Sequence, residues 1–434
     1  MLRCRKTPVP IKFGQCMFKG VHPMIGRITV KFIAALVSLN LILLVGSFTY
    51  ADIEQARLDA VTADLQARVD EGKLSGAVVM IAQNGEIQLS KALGYQNVED
   101  EVPMQEDTIF RIFSMTKPIT GTALMVLYDE GKFELSDPVE KYLPELAGME
   151  VFVSQNDDGS WVTEPANHPM TIRELMSHTG GLLYTPPLSQ GPIASAYAEA
   201  GIMNLFNYTL EESIPALGTI PLSYQPGTQW VYSISVDVQG YLVEKLSGQK
   251  FDEFLQERLF DPLGMAETGF YVKPENADRL ARQYFPAQNG TLSRTDTGAF
   301  LNPPKFLSGG GGLTSTAGDY MKFVQMHLNG GELNGKRVLS EEAVKIMRTN
   351  QLPDAVGDIG QLYPGNGFGV DFAIVQDSAA FQGAPLGTHW WWGIAGSWFW
   401  IDPVSNIGFI GMIQNSDILY SIQVHSAARA AMYQ

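Results

Sequence analysis

The sequence predicts an α/β chain of the α+β type. An antiparallel sheet is built from both ends of the chain and flanked by helices, with a helical lobe inserted at roughly 120–350. Three observations carry that prediction. Strand-like runs bounded by turn residues occur near 76–90 and again near 397–413. Helical patterns with explicit start signals dominate the stretch between them. The composition, 45% apolar with 43 Gly and 24 Pro in 434 residues, is that of a packed globular chain and excludes wholesale disorder or a collagen-like repeat. Strands at both ends with helices between them are most simply satisfied by one sheet.

Residues 1–51 are a different material. They hold seven Lys or Arg and no Asp or Glu, and they contain the one long apolar run, Phe32 to Phe48. Arg27 and Lys31 precede the run and Thr49-Tyr50-Ala51 ends it with small residues where a signal peptidase reads, so cleavage is expected after Ala51. A run of 17 residues also fits a short uncleaved anchor. Either way the expected location is outside the cytoplasm, periplasmic or secreted, and any membrane contact is through this segment.

The folded unit is then 52–434. Arg57 to Val69 reads as a helix and Gly76 to Ala82 as a buried strand; Asn84-Gly85 supplies the two positive φ values of a tight hairpin into Ile87 to Ser90. Apolar spacing through Ile119, Ala123, Val126 and Leu127 predicts a helix over 115–129, with Pro118 tolerated in its first turn. Thr171-Ile172-Arg173-Glu174 is a capping box, with Gly180-Gly181 expected to stop the helix it opens. Ser235 is expected to cap a helix reaching Leu246, and Ser340 one over 343–348. Residues 183–210 and 285–311 read as long loops, and Ser397 to Ile401 and Ile407 to Ile413 as strands about an Asp402-Pro403 turn.

Charge narrows the chemistry. Thirty basic against 46 acidic residues give −16, and without residues 1–51 the balance is 23 against 46, or −23. Nucleic acid is an unsuitable partner for such a chain. The two cysteines, Cys4 and Cys16, both fall before Ala51, and the six histidines show no paired spacing, so neither a disulfide framework nor a metal site is expected, and no cofactor.

Ser114-Met115-Thr116-Lys117 matches Ser-x-x-Lys, in which a lysine activates a serine. About one or two chance matches are expected in so long a chain, and Ser247-Gly248-Gln249-Lys250 is a second. Context separates them. Ser114 opens a helix, where peptide dipoles favour negative charge and Lys117 lies one turn away on the same face. Ser247 closes a helix, and Gly248 is its stop. Tyr232 follows a Gln225-Pro226-Gly227-Thr228 turn and sits on a loop edge. Five of the seven tryptophans fall within 390–400, where Gly393 and Gly396 mark a strand that something approaches closely.

With these blocks in order, the chain resembles the serine β-lactamase-related family: class C β-lactamases, D-alanyl-D-alanine carboxypeptidases, D-aminopeptidases and family VIII carboxylesterases. The likeness covers about 55–430. Besides Ser114 and Lys117 it includes Leu175 to Leu182, Tyr224 to Ser233, Leu263-Gly264-Met265, Gly311 to Thr316 and the tryptophan-glycine segment. It implies that Ser114 is the nucleophile, that Lys117 and Tyr232 share base and acid duties, and that the backbone N–H groups of Ser114 and Ile394 form the oxyanion hole.

Two departures point to substrate. Where the family's tyrosine motif commonly ends in Asn, this chain has Ile234, and where β-lactamases place Lys-Thr-Gly it has Trp391-Trp392-Gly393. An indole offers one N–H and no charge. Losing the cation costs a substrate carboxylate about 1.5–3 kcal/mol. Trp391, Trp392, Gly393 and Ile234 are thus the candidate substrate-binding set, Trp392 taking the role of Trp391 should the segment slip by one. The expected substrate is a small neutral ester, as in the esterase branch, with peptidase, β-lactamase or an idle binding protein as alternatives. His178 reads as structural and His327 and His425 as surface or helix residues. His389 lies nearer the expected cleft and is the candidate substitute for the missing cation.

Overall fold

The structure is a computed structural model that describes residues 52–204, 206–287 and 291–434. The expected targeting segment 1–51, with Cys4, Cys16 and the Phe32 to Phe48 run, lies outside the described residues.

Its framework is an eight-stranded antiparallel sheet. Numbered in chain order, the strands are β1 (Gly76–Gln83), β2 (Glu86–Asn97), β3 (Val102–Pro103), β4 (Asn366–Phe368), β5 (Ala373–Val375), β6 (His389–Trp392), β7 (Trp398–Asp402) and β8 (Ile407–Met412). Their spatial order is β4-β5-β6-β7-β8-β1-β2-β3, so the sheet does come from both ends of the chain and joins where β1 pairs with β8, Val78 opposite Met412. The β1–β2 turn has Asn84 at φ 54° and Gly85 at φ 81°, the left-handed pair that this hairpin needs.

The helices include α1 (Gln55–Asp70), α2 (Thr116–Asp129), α3 (Ile172–Met176), α4 (Pro192–Glu199), α5 (Ser235–Ser247), α6 (Ala317–Leu328), α7 (Glu341–Met347) and α8 (Ile418–Tyr433). Alternation along β7 shows how the sheet is sandwiched. Trp398 and Trp400 meet His425 and Tyr433 of α8 at ring distances of 4.6 and 6.1 Å, while Phe399 meets Tyr320 of α6 at 5.0 Å on the other face. Helix α2 is buried on every side from Thr116 to Leu127 and packs chiefly against α5.

Several local expectations change. The capping box at Thr171 forms, but α3 ends at Met176, and His178 rather than a glycine takes the left-handed conformation that turns the chain, φ 59°. Ser235 does not cap α5: Ile234 stands at that position without a side-chain bond, and the Ser235 hydroxyl pairs with Ser233 at 2.7 Å. The stretch 183–210 contains α4, and 285–311 contains part of a hairpin, Tyr284–Pro286 with Leu292–Arg294. A further hairpin, Val151–Gln155 with Trp161–Glu164, stands within the helical lobe. His327 and His425 are on helices as expected but are buried, not at the surface.

Candidate active site

The site forms where the start of α2, the segment before α5, a glycine loop and the end of β6 converge. Ser114 occupies a 3₁₀ turn, Phe113–Met115, that runs directly into α2. Phe113 before it is held at φ 41°, a costly conformation for a bulky side chain that over-determined surroundings sustain. This sharp entry presents the hydroxyl to a cleft instead of to the helix interior.

Lys117 is fully buried one turn on. Its Nζ lies 3.3 Å from Ser114 Oγ, 2.6 Å from the Gly310 carbonyl and 4.5 Å from the centre of the Tyr232 ring. The Tyr232 hydroxyl accepts a hydrogen bond from Trp391 Nε1 at 3.2 Å. A hydroxyl, a buried amine and a phenol in contact are the parts that base-assisted acyl transfer needs. Ile394 lines the same cleft as Ser114. Gly393 backs onto the Ser114 turn so closely that an added Cβ would strike the Ile112 carbonyl, the close approach that the glycine in this strand announces.

Sequence reasoning missed four participants. Tyr184 packs 5.3 Å from Tyr232, ring to ring, and its phenol is pushed well up by burial and by the neighbouring Tyr232, Asp237 and Asp371. The loop 308–311 delivers the carbonyl that holds Lys117, and Asp237 fixes that loop by accepting from Ser308 Oγ at 2.6 Å and Gly310 N at 3.1 Å. The run Gly309 to Gly312 was the available signal: a Cβ on Gly310 would stand 2.9 Å from Asp237 Oδ2. Asp371 accepts from Gln239 at 3.2 Å. Burial raises both carboxyls, Asp371 the more, against the pull of Lys117.

His178 supports the tyrosine from behind. Its ring lies 5.0 Å from that of Tyr232, and Nδ1 accepts from the Ser233 backbone N–H at 3.2 Å. Burial first, and Lys117 second, keep the imidazole neutral by lowering its pKa well below the usual value.

The cleft encloses about 580 Å³. Trp391 and Trp392 both line it, and the residues around them are chiefly aromatic and aliphatic; none of the described lining residues is Asp, Glu, Lys, Arg or His. Trp391 is the one that reaches Tyr232, while Trp392 turns toward His425 at 5.6 Å, as alternation along a strand requires. Ile234 is a correction. It is fully buried, packed into the main core, and does not line the cleft; its backbone N–H donates to the Leu183 carbonyl. His389 likewise supplies no cation: it is buried beside Phe372 and His327, and burial lowers its pKa to about 4. Among the described residues no three His, Cys, Asp or Glu side chains are grouped to hold a metal ion.

Comparison with known proteins shows the family. The profile of the Beta-lactamase family matches residues 61–418. Protein Rv1367c of Mycobacterium tuberculosis (strain ATCC 25618 / H37Rv) is 37% identical over 386 residues, covering 86% of this chain and 93% of that protein. Esterase EstB of Burkholderia gladioli is 34% identical over 369 residues, 79% of this chain and 86% of the esterase. Among solved structures, EstCE1, described as a hydrolase with promiscuous acyltransferase activity, superposes with a TM-score of 0.74 at 27% identity over 88% of this chain and 99% of its own. The chain therefore belongs to the β-lactamase family, and within it is a carboxylesterase-like serine hydrolase.

Proposed function

We propose that the protein is an exported carboxylesterase that forms an acyl-enzyme on Ser114 and prefers neutral esters with apolar acyl groups over β-lactams. The observation that carries this reading is a Ser-Lys-Tyr cluster opening into a cleft whose described lining holds no charged side chain.

In this reading Ser114 Oγ attacks the ester carbonyl carbon and its proton passes to the Lys117–Tyr232 pair. The negative oxygen of the tetrahedral intermediate is held by the backbone N–H groups of Ser114 and Ile394. Tyr232 returns the proton to the departing alcohol. A water then repeats the cycle on the acyl-enzyme, releases the acid and restores the Ser114 hydroxyl. The Trp391 N–H is engaged by Tyr232, so a carboxylate at this point of the cleft finds neither a cation nor that donor. For that reason β-lactams and D-alanyl peptides are the poorer substrates.

The test is a comparison on one preparation of p-nitrophenyl butyrate, nitrocefin and a D-Ala-D-Ala peptide. Ester turnover is expected to exceed the other two, to vanish in Ser114→Ala, and to be blocked by a fluorophosphonate that labels Ser114. Efficient nitrocefin turnover would favour a β-lactamase, and an unlabelled Ser114 an idle binding protein. Intact mass beginning at Asp52 tests export with cleavage after Ala51.

Acyl transfer to an alcohol is a second reading. An apolar cleft disfavours water relative to an apolar alcohol, and EstCE1 is described as having promiscuous acyltransferase activity. Added butanol would then yield butyl ester at the expense of free acid.

A further inference from the structure

The edge of the cleft is as apolar as its interior, although it faces water. Leu188, Phe206, Leu362, Ile394 and Ile418 all line the cleft and are all exposed. They come from three stretches of the chain, 188–206, 362 and 394–418, and share only the lining of this cleft. Leu362 is 72% exposed, the highest value for a large apolar side chain among the described residues. Single exposed apolar side chains are ordinary, whereas a group gathered at one opening marks a surface that is covered during function.

The covering agent must leave a path to Ser114. A protein seated on this ring would stopper the cleft. An anionic lipid surface meets a chain with 46 acidic against 30 basic residues and a cleft without a described lining cation. A condensed phase of uncharged ester satisfies both conditions: its hydrocarbon covers the ring, and its own molecules supply the carbonyl that enters.

Building on the esterase reading, we infer that the mouth of the cleft docks on the surface of water-insoluble neutral esters of the acylglycerol type, and that the enzyme works at that interface. The ring takes the place of water at the cleft edge, and the substrate passes from oil to Ser114 without crossing an aqueous layer.

The experiment measures acid release from tributyrin across its solubility limit, with p-nitrophenyl butyrate kept below its own limit as the dissolved reference. The full chain is expected to show a rate that breaks upward when droplets form. Leu362→Gln and, separately, Leu188→Gln are each expected to lose about tenfold in apparent affinity for the emulsion, so that the ratio of emulsion to dissolved-ester rate falls. A smooth saturation curve through the limit, or an unchanged ratio in both variants, overturns the inference. So does a dimer that either variant dissociates, which makes the ring a contact between copies. If dissolved ester is not cleaved and Ser114 is not labelled, it is the esterase reading that has failed, and the interfacial inference falls with it.

Discussion

Lys117 is held by three groups of different kinds: the Ser114 hydroxyl, the Gly310 carbonyl and the face of the Tyr232 ring. Such a site separates proton transfer from anchoring, and single exchanges divide the two. Tyr232→Phe keeps the ring against Lys117 and removes the hydroxyl, so kcat is expected to fall about 10²–10⁴-fold with an unchanged circular dichroism spectrum. Trp391→Phe keeps an aromatic wall but removes the 3.2 Å donor to Tyr232. A loss of about 1 kcal/mol, or roughly fivefold in kcat, is expected from steady-state kinetics on p-nitrophenyl butyrate. Ser114, Lys117 and Tyr232 were legible in the sequence because their signals are local: spacing on a helix start and a turn before another helix. Tyr184, Asp237 and Asp371 were not: Tyr184 stands in a stretch that reads as a loop, Asp237 in the first turn of α5 and Asp371 between β4 and β5, and none of these carries a local signal that points to the site. Ile234 was misplaced for a related reason. A motif position indicates which backbone runs past the site, and packing into the core decides which way the side chain turns.

At the level of elements, two features set the spacing of the cleft walls. The Gly393 end of β6 lies directly against the turn that carries Ser114, and an added methyl would meet the Ile112 carbonyl. Gly393→Ala is expected to push β6 away and lower kcat/KM more than tenfold, because small misplacements of an oxyanion donor are expensive. A variant that folds and retains full turnover would show that this contact does not set the wall. The capping box at Thr171 holds α3, and the turn that follows it carries His178 under Tyr232. Thr171→Ala is expected to cost about 1 kcal/mol in urea unfolding. Elements with explicit punctuation were readable in advance: the Asn84-Gly85 hairpin, the Thr171 box and the Ser340 cap are all present. The three-residue strands β4 and β5 were not, because so short a segment has no alternation to read and is made a strand by its neighbour in the sheet.

Across the whole molecule, four imidazoles share one fate. His178, His327, His389 and His425 are buried, and burial lowers each pKa, to about 4 for His389 and about 3 for His425. In the unfolded chain these groups take up protons below their ordinary value of 6.5, whereas the folded chain refuses them until far lower pH. Stability is therefore fully present above that value and lost as pH falls toward the folded-state values. The urea midpoint is expected to be flat above about pH 7 and to decline steadily from pH 6.5 to 4. A midpoint that is constant over that range would mean the imidazoles are protonated without penalty. The sheet's assembly from both chain ends was foreseen; the side of each helix that would carry a buried histidine was not, as a histidine on a helix looks the same in sequence whether it faces water or tryptophan.

The pairing of Val78 with Met412 also sets a timetable. On the ribosome β1 is complete while more than 300 residues that include its partner β8 are still unmade. Until they arrive, Gly76 to Ala82 is an apolar strand with one unpaired edge, a template for association with other nascent chains. Ser114 meanwhile has no opposite wall, since Trp391 and Ile394 are also made late. The enzyme is thus silent throughout its own synthesis, and chains arrested before residue 366 are expected to be inert toward p-nitrophenyl butyrate and to sediment unless a chaperone holds β1.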